Sequence, residues 1–168
     1  MERFLDTAEQ KARSLWAGVD RRLLAAVSLA ALACMLLAHG FAFTNLFPNH
    51  DSTVLVFDAQ WTMYVLGRWA QNLYFPLIRG KIAAPWLIGA FSTVWLALAG
   101  YCAARLLQLR RWAAALLTGL LACCASVTSV LATYTYEADA YLLALPLACA
   151  GVWCAERRSL VGLCGAAV

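Results

Sequence analysis

Asn49-His50-Asp51-Ser52 forms an ionisable cluster a few residues beyond a long apolar run. A carboxylate at the rim of a bilayer can take a proton from a hydroxyl nucleophile, and a positioned general base typically contributes about 10²–10⁴ in rate. Asp51 and His50 are therefore the candidate catalytic residues, with Asn49 beside them as a candidate substrate contact. Asp51 or Ser52 would serve equally well as the N-cap of a following helix, since short polar side chains accept from the first free backbone N–H groups. Residue types alone leave both roles open.

A second polar stretch, Tyr134-Thr135-Tyr136-Glu137-Ala138-Asp139-Ala140-Tyr141, surrounds two carboxylates with tyrosines. Such a collar suits a sugar, whose apolar ring face stacks on aromatic rings while its hydroxyls donate to carboxylates. Tyr136, Glu137 and Asp139 are the candidate sugar-binding residues; Asp139 would also sit well at the positive end of a helix dipole. Arg68, Arg79 and Lys81 are candidate partners for an anionic lipid phosphate, or else side chains that snorkel to headgroups. Asp58 reads as a solvated residue, and His39, near the end of the first apolar run, as an ordinary hydrogen-bonding group.

The elements that must position these groups lie in a membrane. Of 168 residues, 64% are hydrophobic and only 13% charged, against roughly 25% charged in soluble domains. The net charge of +4 does not mark a nucleic-acid binder, because the basic residues are dispersed at the ends of apolar runs. The seven cysteines all lie within apolar segments and read as small packing residues. With no C-x-x-C and no Cys/His cluster at zinc spacing, nothing in the pattern calls for a metal or other cofactor.

Residues 1–22 mix charges with Phe4, Leu5, Leu15, Trp16 and Val19, which fits either a short amphipathic segment on the cytoplasmic surface or a tail that supplies positive charge. No cleavable signal is expected, because the apolar run that follows is too long for one. Transmembrane spans are expected at about 23–43, 86–104, 112–134 and 141–155, the last containing Pro146, which a membrane helix tolerates when neighbours satisfy the freed carbonyl. Residues 159–168 begin a partial fifth apolar run too short to cross, so the chain reads as the front part of something longer.

The outer loop, 44–85, carries Phe57, Trp61, Tyr64, Val65, Gly67, Arg68 and Trp69 at helical spacing, the pattern of an amphipathic juxtamembrane helix at interfacial depth. Pro76, Gly80 and Pro85 are expected to break the chain before the second span. Ten of the 13 basic residues cluster at the N-terminal tail, the second-to-third connection and Arg157-Arg158. Positive charge marks the cytoplasmic side, which puts the N-terminus inside and both polar clusters outside.

On Asn49-His50-Asp51-Ser52 after the first span, Gly67-Arg68-Trp69, the run Ala84-Pro85-Trp86-Leu87-Ile88-Gly89 and Tyr136-Glu137-Ala138-Asp139-Ala140-Tyr141, the sequence resembles the Gtr type II glucosyltransferases of bacterial membranes over roughly residues 20–155. The resemblance implies an all-α, polytopic, GT-C-like fold in the inner membrane. It implies transfer of glucose from a polyprenyl-phosphate donor to a periplasmic glycan such as the O-antigen of lipopolysaccharide, with Asp51 as general base and membrane lipids as surroundings. Two rivals remain. A transporter or flippase component would carry charged groups near the midplane of its spans, where the expected spans have none; an inactive truncated fragment would need partners or further spans.

Overall fold

The computed structural model describes residues 17–45, 69–80 and 84–156, and these are all-helical. The expected catalytic and substrate residues Asn49, His50, Asp51, Arg68 and Lys81 lie outside the described residues, as do Ser52, Asp58, most of the expected juxtamembrane helix and the partial run 159–168. Three helices, α1 (Arg21–Thr44), α3 (Pro85–Leu106) and α6 (Ala138–Glu156), are long and apolar enough to cross a bilayer. A fourth crossing is available if α4 (Arg111–Ala122) and α5 (Ala125–Thr133) form one broken span. The remaining element, α2, runs Trp69–Tyr74 and continues as a wide π-type turn over Phe75–Arg79.

α1 starts where Asp20 caps it, its carboxylate accepting from the backbone N–H groups of Arg22 and Leu23, both at 3.0 Å. Its buried residues, Leu23, Val27, Ala31, Met35, His39 and Phe43, fall every fourth position and so make a single stripe. The rest of the helix is equally apolar but faces outward, with Leu37 88% and Phe41 72% exposed. A helix apolar all round with one packed stripe is built for contact with lipid on its other faces.

α3 is the central helix, packing on α6, α1 and α4. Helices in lipid gain little from apolar burial alone, so close approach between small residues carries much of their association. Gly89 and Gly100 provide it: a Cβ on Gly89 would come within 2.5 Å of the Phe43 ring, and one on Gly100 would collide with the Thr118 side chain. Ile88, Ser92, Leu96, Ala97, Ala99 and Ala104 complete the buried face of α3.

Two core clusters mark the ends of this bundle. Leu23, Val27, Ala104 and Ala114 gather at the end that carries Arg21, Arg22, Arg105, Arg110 and Arg111, where the Asp20 backbone N–H also donates to Tyr101 Oη at 3.1 Å. Phe43, Ile88, Leu131, Tyr136 and Ala138 belong to the cluster at the opposite end. α1 and α3 therefore run antiparallel, with the polar residues around Glu137 and Asp139 at the end remote from Arg21, Arg22, Arg105, Arg110 and Arg111.

Three boundaries differ from the sequence expectation. The third span is not one helix: α4 and α5 meet at a 42° bend at Cys123-Cys124. His39 explains how the break is tolerated, because its Nε2 lies 3.0 Å from the Ala122 carbonyl released there. The fourth span begins at Ala138 rather than Tyr141, so Asp139 lies in its first turn, while Pro146 sits inside the helix without ending it. Pro76 likewise does not end α2; the wide turn absorbs it, and the break comes at Gly80, whose φ of 69° lies in the left-handed region that glycine adopts at no steric cost.

Candidate functional site

The polar residues of α2 are aimed by its last turn. In a regular helix, residues five apart point about 140° away from each other. In the π-type turn that accommodates Pro76, the Gly80 backbone N–H reaches the Phe75 carbonyl, and residues five apart become neighbours. Tyr74 and Arg79 consequently converge on one atom: Tyr74 Oη donates to Asp139 Oδ2 at 2.8 Å, and Arg79 Nε approaches the same oxygen at 3.1 Å.

Asp139 is held from the other side by the fold of the turn before α6. The Glu137 backbone N–H donates to the Tyr134 carbonyl at 2.9 Å, and the Glu137 carbonyl accepts from Ala140 and Tyr141 at 3.0 and 3.2 Å. Glu137 thus takes the cap position of α6 and Asp139 its first turn. The Arg79 Nη2 also donates to the Tyr136 carbonyl, and the Arg79 guanidinium lies 4.7 Å from the centre of the Phe75 ring. Trp95 on α3 donates through Nε1 to Tyr74 Oη at 3.1 Å, so α2, α3 and α6 are joined in one hydrogen-bonded network.

The network is dry. Asp139 is fully buried, Glu137 is 2% exposed, Gln71 7% and Arg79 8%. Burial pushes the Tyr74 phenol well above its ordinary value, and the nearby Asp139 carboxylate adds to the rise. Burial pulls the Arg79 guanidinium down, opposed chiefly by the Asp139 carboxylate. Gln71 Nε2 donates to Glu137 Oε2 at 3.4 Å, while Gln71 Oε1 and Asn72 Nδ2 are buried without a hydrogen-bond partner among the described residues. Tyr134 and Tyr141 pack ring to ring beside the turn, centroids 4.9 Å apart.

Of the residues singled out in the sequence, the structure brings together Arg79, Tyr136, Glu137 and Asp139. Asp139 meets Arg79 as an ion pair, and Tyr136 contributes its backbone carbonyl. Gln71, Tyr74 and Trp95 were not legible as site residues; a polar-tipped aromatic on each of two elements was the available signal, but their meeting depends on the wide turn. Among the described residues, no three His, Cys, Asp or Glu side chains gather where they could hold a metal ion.

An apolar helical bundle with a buried, charge-bearing polar cluster at one end defines a polytopic membrane protein with a candidate polar-ligand site. The family model for glucosyl transferase GtrII matches residues 40–168, and the chain belongs to that family. Membership implies a glycosyltransferase, with a sugar donor and a glycan acceptor. No curated protein and no solved structure matches the chain.

Proposed function

We propose that the chain transfers glucose from a polyprenyl-phosphate carrier to a periplasmic glycan such as O-antigen, within a GT-C-like fold of the bacterial inner membrane and with its N-terminus in the cytoplasm. The observation that carries this reading is the buried Arg79, Asp139, Glu137, Tyr74 and Gln71 cluster at the end of the bundle away from Arg21, Arg22, Arg105, Arg110 and Arg111. A lipid-borne sugar would be presented at the membrane surface on that side, since the excess of basic residues at the other end marks the cytoplasmic side.

The reaction is an inverting displacement. Asp51, with His50 beside it, deprotonates an acceptor hydroxyl; the hydroxyl oxygen attacks the anomeric carbon, and the bond to the lipid phosphate breaks with its electron pair on the phosphate. Arg68 and Lys81 neutralise the departing phosphate. Arg79 is already balanced by Asp139 and contributes mainly by fixing that carboxylate. Asn49, Tyr136, Glu137 and Asp139 complete the sugar site. Phosphate is a competent leaving group, so positioning of donor and acceptor supplies much of the acceleration.

Membranes containing the chain, supplied with polyprenyl-phosphate glucose labelled in the sugar, are expected to label glycan. The same membranes supplied only with a nucleotide-linked glucose, in a strain unable to load the lipid carrier, are expected to stay unlabelled. Labelling from the nucleotide sugar in that strain would overturn the donor assignment.

A further inference from the structure

We infer that Gln71, held in place by its hydrogen bond to Glu137, reads a hydroxyl group of the bound hexose, making α2 a sugar-recognition element as well as a connector; this rests on the glycosyl-transfer reading above. Gln71 is more than nine-tenths buried. Its amide donates to Glu137 Oε2, which turns its carbonyl oxygen into the available group, and that oxygen has no hydrogen-bond partner among the described residues. A buried acceptor without a donor is costly, and proteins rarely keep one unless a ligand or ordered water completes it.

The chemistry of the open group selects the ligand. Gln71 Oε1 is an acceptor on a side chain whose amide N–H is committed to Glu137, so the matching ligand presents O–H donors. The hydroxyls of a pyranose ring do so. A phosphate does not, because it brings negative charge and acceptor oxygens towards a buried carboxylate. Gln71 Oε1 therefore belongs to the sugar of the donor and not to its phosphate.

The test is equilibrium binding of two lipids to the full chain in nanodiscs: polyprenyl-phosphate glucose and bare polyprenyl phosphate. The wild-type chain is expected to prefer the glucosylated lipid. Gln71→Met keeps the length of the side chain and removes both amide groups; it is expected to weaken the glucosylated lipid about tenfold, the effect of one lost neutral hydrogen bond of ordinary strength. Affinity for the bare lipid is expected to stay unchanged.

Gln71→Asn, which withdraws the same amide by one methylene, is expected to give a smaller loss with the same selectivity; it decides the matter by the same criterion if Gln71→Met does not fold. A preference for glucose that both variants retain overturns the assignment of Gln71 while leaving the donor reading in place. An equal loss for both lipids makes Gln71 a structural residue and also overturns it. A wild-type chain that shows no preference for the glucosylated lipid refutes the donor reading and, with it, this inference.

Discussion

Removing one partner of the Arg79–Asp139 ion pair should destabilise the bundle far more than removing both. Both side chains are nearly or wholly inaccessible to water, 5% exposed for Arg79 and fully buried for Asp139. Asp139→Leu strands a buried guanidinium and Arg79→Met strands a buried carboxylate, a loss that typically costs about 3–5 kcal/mol. In the double variant neither charge remains, and an apolar pair of similar volume can be as stable as the ions it replaces. What survives is the loss at the Tyr136 carbonyl and the Tyr74 hydroxyl, each deprived of one hydrogen bond. That residue amounts to roughly 2 kcal/mol, at about 1 kcal/mol for each bond. The double variant is thus expected to be more stable than the worse single variant. Reversible unfolding of the four proteins in mixed micelles measures the cycle. Additive losses, with the double variant at the sum of the singles, would show that the two groups do not act as a buried pair.

The remaining predictions concern packing, the broken span and pH. Gly100→Ala drives a methyl group into Thr118 and should cost about 1–3 kcal/mol; adding Thr118→Ala should recover most of it, measured by melting temperature. His39→Phe deprives the Ala122 carbonyl of its partner at the α4–α5 bend and should cost about 1–3 kcal/mol; His39→Gln, which retains a donor, should cost less in the same measurement. Tyr74 has a folded pKa raised above its ordinary 10.0, so its neutral form favours the folded state. That contribution is whole below pH 10.0 and falls as pH rises from there towards the folded value. Unfolding followed between pH 9 and 12 should therefore show stability dropping above about pH 10, the unperturbed phenol value; Tyr74→Phe should flatten that drop, and an unchanged slope would contradict the assignment.

Apolar helices were legible because length and apolarity are local properties: among the described residues three helices are long and apolar enough to cross a bilayer, and the bent pair α4–α5 would make a fourth crossing if it is one span. Their boundaries were less so. The stretch around Cys123-Cys124 contains no proline, and nothing local announces a bend; its tolerance depends on His39 from a different helix. The polar residues of the site were legible by type, since Glu137, Asp139 and Arg79 are conspicuous in so apolar a chain. Their pairing was not, because Arg79 reaches Asp139 only through the wide turn around Pro76, and the sequence reads that proline as a simple break. Gln71, Tyr74 and Trp95 escaped notice for the same reason: their roles arise from contacts between elements distant in sequence.

The most direct test of the catalytic account is transfer of labelled glucose from polyprenyl-phosphate glucose to membrane glycan by the chain and by its Asp51→Asn variant at matched expression. Transfer is expected from the first, with a fall of about 10²-fold or more in the second, the range for loss of a general base. Equal transfer by the two would contradict Asp51 as the base, and absence of transfer by the unaltered chain would contradict the proposed activity itself.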